Sequence, residues 1–178
     1  MKHARLWTWG VLAAAVVASG VVTPLVGSVA DASTHVPRCL ARQLSVSVGL
    51  GDGAAGTIYF PITFQNKSAV TCRLVGIPVI QPATGPAFVS VGPPARRDVL
   101  AGRGGSVTLA KRTGKVTSAY GVAETGNYPA ALCGAARFDE LKITFYSGPV
   151  LLVHFGHDST CTKVTSTHVT GIIAGTAG

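Results

Sequence analysis

Apolar and polar residues alternate along much of the chain after residue 40. Apolar side chains occupy every second position over residues 44–50 and again over residues 58–64. A period of two is typical of strands that bury one face. The glycine-rich stretch 51–56 between the two runs predicts a turn, so we expect them to form a hairpin. Pro61 has no amide hydrogen to donate, which predicts a sheet edge or a bulge at that position.

Shorter strand patterns follow, separated by Gly and Pro. They cover residues 72–75, 79–81, 88–91, 106–109, 116–122, 141–146, 150–155 and 169–173. No apolar pattern of helical spacing extends over three turns after the N-terminal region. Many short strands imply a sandwich or a barrel, and we expect an all-β, immunoglobulin-like antiparallel β-sandwich. The predicted domain spans residues 39–173, with a flexible segment at 31–38 and a tail at 174–178.

The N-terminal 30 residues have a different pattern from the rest. Lys2 and Arg5 precede an uncharged apolar run over residues 6–26, and small residues follow at 28–32. This order predicts a helical signal peptide, cleaved near residue 30, and therefore an exported protein. The alternative is an uncleaved membrane anchor, because the run has about the 20 residues that span a bilayer.

The four cysteines all lie after the predicted signal, at Cys39, Cys72, Cys133 and Cys161. An exported chain meets an oxidising compartment, where thiols pair. Four cysteines allow three connectivities. We predict one bridge in each half, Cys39–Cys72 and Cys133–Cys161. The wide spacing lacks the CxxC pairs of structural zinc sites, so a metal centre built on these thiols is the weaker interpretation.

The charge is positive and unevenly distributed. The chain carries 15 Lys and Arg against 7 Asp and Glu, a net charge of +8. Without residues 1–30, which hold Lys2 and Arg5 and no acid, 13 basic and 7 acidic residues leave +6. Six basic residues fall within twenty positions: Arg96, Arg97, Arg103, Lys111, Arg112 and Lys115. They predict an anion-binding loop surface, against the alternative of an ordinary solvated surface.

Catalytic signals are weak. The strongest metal-ligand candidates are His154, His157 and Asp158, but residues three apart on a strand face opposite sides unless the chain bends, as Gly156 would allow. Only two acids are adjacent, Asp139 and Glu140, and neighbours on a strand point apart; no Gly-x-Ser-x-Gly motif occurs. Asn66-Lys67-Ser68 matches a glycosylation sequon in form, and we interpret it as a turn. We therefore expect no enzyme activity and no cofactor.

Several motifs in collinear order resemble one family. They are Leu44-Ser45-Val46, the 51–56 turn, Tyr59 with Pro61 and Phe64-Gln65-Asn66, residues 71–78, Val107-Thr108-Leu109-Ala110, Gly126-Asn127-Tyr128-Pro129 and the four cysteines. Together they resemble the actinobacterial domain-of-unknown-function family 4232 over residues 39–173. The resemblance implies an exported or lipid-anchored β-sandwich and supplies no catalytic residues. Three turns depart from the family pattern, at residues 77–78, 110–114 and 146–149, so surface function does not transfer.

These patterns lead to one functional expectation and two alternatives. We expect a monomeric, secreted or cell-envelope-associated binding or structural module. Its partner is expected to be an anionic envelope polymer or lipid surface rather than nucleic acid, because the basic stretch lacks interleaved aromatics for base stacking. The alternatives are an extracellular hydrolase with a site assembled from distant residues, and a metal-binding envelope protein that uses the histidines.

Overall fold

A computed structural model describes residues 35–98, 105–146 and 150–174 of the chain. The predicted signal peptide, Arg103, the turn at 147–149 and the last four residues lie outside these ranges. Within the described ranges, no helix has the length and apolar character needed to cross a bilayer.

The described chain is built from thirteen short strands. In order they are β1 (Leu44–Val48), β2 (Asp52–Ala54), β3 (Thr57–Asn66), β4 (Cys72–Val75), β5 (Val79–Thr84), β6 (Val89–Ser90), β7 (Arg96–Arg97), β8 (Ser106–Leu109), β9 (Lys115–Ala123), β10 (Ala135–Thr144), β11 (Leu151–Cys161), β12 (Thr167–Val169) and β13 (Ile173–Ala174). Two 3-10 turns, Ala41–Gln43 and Thr125–Asn127, and the short helix α1 (Ala130–Cys133) complete it. The predicted all-β class is confirmed.

The strands form three sheets. The largest has the order β1-β3-β9-β12-β7, with β2 added to β3 and β13 added to β9. A second sheet has the order β11-β10-β5-β6, and β4 pairs with β8 alone. Pairing is antiparallel except between β7 and β12, which run parallel. This is the one departure among the strand pairs from the antiparallel sandwich that the sequence predicts.

The core lies between the sheets and follows the predicted alternation. Ile62 and Phe64 on β3 are fully buried, as are Leu141 and Ile143 on the opposing β10. Phe145 packs edge-on against Phe64, with their ring centroids 5.0 Å apart. Alternation with a period of two places these side chains on one face of each strand, and that face is the interior.

Pro61 lies where the neighbouring chain is interrupted. β1 ends opposite Ile62 and β2 begins opposite Tyr59, so the outer partner of β3 breaks beside Pro61. The Pro61 carbonyl still accepts a hydrogen bond from the Gly49 amide at 2.8 Å. The missing donor at Pro61 therefore coincides with a gap in the ladder, which confirms the predicted irregularity. The turn predicted at 51–56 is shorter, because β2 occupies residues 52–54.

Both predicted disulfides are present, Cys39–Cys72 and Cys133–Cys161. The first joins the chain before β1 to the start of β4, and Pro37–Cys39 also pairs with β4 through the Arg73 amide and carbonyl. The ordered pairing therefore begins two residues before the predicted domain start at Cys39. The second disulfide joins α1 to the end of β11.

Candidate functional site

The predicted basic stretch lies at two separate places. Arg96 and Arg97 form β7, at the edge of the largest sheet, where Arg97 pairs with Val169. Val169 pairs with Tyr120, and Tyr120 is five residues from Lys115 along β9. At about 3.4 Å per residue and about 4.8 Å per strand, the Cα atoms of Arg97 and Lys115 are about 20 Å apart. Lys111 and Arg112 accompany Lys115 on the turn that joins β8 to β9, two strands of different sheets, whereas Arg103 lies outside the described residues.

The bases of the β8–β9 turn are joined by two bases from elsewhere in the chain. The Arg112 amide donates to the Ser68 carbonyl at 2.9 Å, and the Lys67 amide donates to the Gln43 carbonyl at 2.7 Å. These contacts bring the turn after β3 and the 3-10 turn before β1 beside the β8–β9 turn. The resulting surface, which we call the basic end, consists of five exposed side chains: Arg42, Lys67, Lys111, Arg112 and Lys115.

Acidic residues are placed away from the basic end. Every acid in the described ranges lies elsewhere: Asp52 on β2, Asp98 after β7, Glu124 after β9, Asp139 and Glu140 within β10, and Asp158 on β11. The strand registers put β2 and the end of β9 at the opposite end of β3 from Asn66. The described domain therefore has one end that carries only positive charge and a remainder of mixed charge, and this separation gives the surface a directional field.

Asn66 holds the basic end together. Its side chain is fully buried, and its amide donates to the carbonyls of Val70 and Leu109 at 2.8 and 3.2 Å. Its side-chain oxygen accepts from the amide and the hydroxyl of Ser68 at 2.9 and 2.8 Å. Asn66 thereby links the turn that carries Lys67 to the end of β8. Because its amide nitrogen is used inside the fold, the local sequon is a structural turn, as the sequence predicts.

A cleft of about 220 Å³ opens close to the basic end. Its apolar lining includes Leu44, Leu74, Phe145 and Leu151, and the Cys39 end of the first disulfide forms part of its wall. Two cationic side chains, Arg38 and Arg73, border it. Among the described residues that line it, there is no aspartate, glutamate or histidine.

Tyr146 forms one side of the cleft in an unusual conformation. Its backbone has φ +55°, in the left-handed region that side chains other than glycine rarely adopt. The Arg38 guanidinium lies 4.9 Å from the centroid of its ring, a cation–π contact. A Cβ atom at Gly76 would lie 2.7 Å from the Tyr146 hydroxyl, so glycine there lets the phenol approach the backbone. Tyr146 is thus held over the cleft from two sides.

The predicted histidine group forms a different set of contacts. His154 Nδ1 lies 3.0 Å from Glu140 Oε1 on the neighbouring strand, and His154 is exposed. Asp158 lies beyond Gly156, which has φ +108°. Burial raises the pKa of Asp158, and the Ser159 amide, which donates to its carboxylate, partly opposes this. Over the described ranges, no three His, Cys, Asp or Glu side chains converge in a metal-binding arrangement.

His168 occupies a half-buried site beside β7. Its ring packs edge-on against Tyr59 with centroids 5.2 Å apart and covers Gly121 so closely that a Cβ there would lie 2.4 Å from Nε2. Burial lowers the pKa of His168, the charge of Arg96 lowers it further, and Asp98 opposes both. The neutral imidazole is therefore the form that the fold favours.

Sequence reasoning did not single out Arg38, Arg42, Lys67 or Arg73. A usable signal existed for two of them, because Arg38 and Arg73 each adjoin a cysteine of the predicted Cys39–Cys72 bridge. A disulfide brings the neighbours of its two cysteines together, and the backbone of Arg38 indeed forms an isolated parallel β-bridge with that of Arg73. Arg42 and Lys67 carry no such signal, since their proximity to the β8–β9 turn depends on how turns distant in sequence pack together.

The comparisons with known proteins identify a family. No curated protein and no solved structure matches the chain significantly. The model of one family, described as a domain of unknown function (DUF4232), matches residues 39–170. This span includes all four cysteines, the basic end and the residues that line the cleft, except Arg38. The chain therefore belongs to the DUF4232 family.

Proposed function

We propose that this protein is a non-catalytic, exported binding module that attaches to an anionic lipid or polymer of the cell envelope through its basic end. The observation that carries the proposal is the separation of charge. Five exposed bases from three separate chain segments meet at one end of the described domain, and the acids of the described ranges lie elsewhere. Such a surface attracts polyanions over a distance of about 10 Å at moderate ionic strength.

Export is supported by two independent features. The N-terminal pattern is that of a signal peptide. Two disulfides with no free cysteine in the described chain fit an oxidising compartment. Among the described residues, the cleft lining offers no carboxylate or imidazole group as a general acid or base, which supports a binding role over hydrolysis.

The test compares two variants of equal charge. The first replaces Lys111, Arg112 and Lys115 by Gln. The matched control replaces Arg96, Arg97 and Arg137 by Gln, which removes three exposed charges away from the basic end. Binding to vesicles that contain phosphatidylglycerol, and to vesicles of phosphatidylcholine alone, is measured by co-sedimentation at low salt, together with binding to an anionic wall polymer.

Each basic residue near an anionic surface contributes about 1 kcal/mol. Loss of three therefore weakens binding about a hundredfold in the first variant, and the control loses less than tenfold. Equal losses in both variants, or wild-type binding to neutral vesicles as strong as to anionic ones, would contradict the proposal. Thermal unfolding of both variants establishes that they are folded.

A further inference from the structure

The cleft beside the basic end combines apolar surface with unused positive charge. Leu44, Phe145 and Leu151 present carbon atoms to a space of about 220 Å³. Leu40 and Tyr146 at its border are 40% and 55% exposed, so these large apolar side chains face solvent rather than a closed core. An open cavity lined mainly by apolar and aromatic groups, with a few polar groups at fixed positions, is typical of a small-molecule site.

The two arginines of the cleft lack an anionic partner among the described residues. Neither Arg38 nor Arg73 forms an ion pair or a side-chain hydrogen bond there, and Arg38 instead contacts the Tyr146 ring. Arg73 Nε is buried without a hydrogen-bond acceptor. Buried donors in proteins are nearly always paired, so an unpaired guanidinium nitrogen beside a cleft is informative. Guanidinium groups pair best with carboxylate and phosphate oxygens.

The size of the cleft restricts the apolar part of a ligand. About 220 Å³ is below the roughly 300–1,000 Å³ of sites that enclose a drug-sized molecule. A two-chain lipid therefore does not fit, whereas one short alkyl chain does. The backbone leaves little room for adjustment, because the first disulfide and the Pro37–Cys39 pairing with β4 fix one wall.

We propose that the Arg38–Arg73 cleft binds a single-chain amphiphile with an anionic head group, either a carboxylate or a phosphate. The head would lie against the two guanidinium groups, and the alkyl chain against Leu44, Phe145 and Leu151. The inference rests on the proposed binding function but assigns it a second site. The basic end supplies general attraction to an anionic surface, and the cleft selects one amphiphile from it.

The probes are octanoate, octyl phosphate, octanol and inorganic phosphate. Each is titrated into the exported chain by calorimetry, and the octyl anions are kept below their critical micelle concentrations. We expect octanoate or octyl phosphate to bind. Octanol and inorganic phosphate should bind at least tenfold more weakly, because octanol lacks the anionic head group and inorganic phosphate lacks the alkyl chain. Shortening the chain weakens binding about fourfold per methylene until the cleft is no longer filled. Equal affinity for octyl phosphate and inorganic phosphate would overturn the proposal, as would affinity that is independent of chain length.

Two substitutions locate the site. Arg73→Met keeps the unbranched apolar stem of the side chain but removes the guanidinium group, and it lowers affinity for the preferred octyl anion at least tenfold. Arg38→Met does the same at an exposed position, where loss of folding is not a concern. Unchanged affinity in Arg38→Met, or in a folded Arg73→Met protein, would overturn the proposal.

The variant with Lys111, Arg112 and Lys115 replaced by Gln separates the two proposals. If the cleft is the site of the octyl anion, this variant binds that anion with wild-type affinity, even though it no longer attaches to anionic vesicles. The cleft would be refuted as the binding site if the affinity for the octyl anion fell in this variant but not in Arg38→Met or Arg73→Met. Failure of the vesicle experiment alone would refute the basic end.

Discussion

Asn66→Ala should destabilise the domain far more than an ordinary polar substitution. The side chain is fully buried, and it forms two close bonds to Ser68 and one each to the carbonyls of Val70 and Leu109. Each bond contributes about 1 kcal/mol, so alanine should cost about 3–4 kcal/mol. The total stability of a domain is about 5–15 kcal/mol, so the loss is a large fraction of it.

Urea unfolding at pH 7 measures this loss as the change in the free energy of unfolding at constant m. The neighbouring Gln65→Ala is the matched control, because its amide makes one bond of 3.3 Å to the exposed Arg112 carbonyl. We expect the control to cost less than about 1 kcal/mol. A cost below 1 kcal/mol for Asn66→Ala, or equal costs for the two variants, would refute the role assigned to Asn66.

Asn66→Asp adds a test of the direction of the bonds. The carboxylate still accepts from Ser68, but it faces the Val70 and Leu109 carbonyls without a hydrogen to donate. Burial and these carbonyls raise the pKa of the new carboxyl above its unfolded value of about 3.9, so the folded state binds the proton more tightly. Stability then falls as pH rises from about 4 to 7. A variant equally stable across this range would show that the amide does not act as a donor.

Three further predictions concern the disulfide and two titrating side chains. Replacing Cys39 and Cys72 by Ser opens a loop of 33 residues and should cost about 3.7 kcal/mol in the free energy of unfolding; an unchanged melting temperature would contradict this. Burial raises the pKa of Tyr120 above its usual range, so stability should fall as pH rises beyond about 10, and Tyr120→Phe should remove part of that fall. Arg96→Gln should raise the pKa of His168 in an NMR titration and so weaken the loss of stability below about pH 6.5; a lower or unchanged pKa would exclude the charge effect.

The strands could be predicted where apolar and polar residues alternate without interruption. Alternation over residues 44–48 and 58–64 corresponds to β1 and β3, whose apolar sides meet the opposing sheet. The first half of β10 and the second half of β11 were not predicted. β10 has a register shift between Phe138 and Glu140, and β11 has Gly156 with positive φ, so neither keeps a period of two. The local pattern is lost where the strand bends, although the pairing continues.

The candidate site could be predicted only in part. Lys111, Arg112 and Lys115 stay together because one short turn between β8 and β9 carries them. Arg96 and Arg97 separate from them because β7 adds to the sheet beyond β12, and this parallel crossover has no local sequence signal. The basic end gains Arg42 and Lys67 through backbone contacts of turns distant in sequence. Proximity along the chain therefore identified a charged region, but the topology decided which charges meet.

The most direct test of the account is the salt dependence of attachment to anionic vesicles. The dissociation constant is measured across a series of salt concentrations for the wild type, for the variant with Lys111, Arg112 and Lys115 replaced by Gln, and for the matched control at Arg96, Arg97 and Arg137. We predict wild-type binding that weakens steeply with salt, a much shallower dependence in the first variant, and a nearly wild-type dependence in the control. Wild-type binding that is insensitive to salt would contradict attachment to the envelope through the basic end. A control variant whose salt dependence is as shallow as that of the first variant would contradict it too.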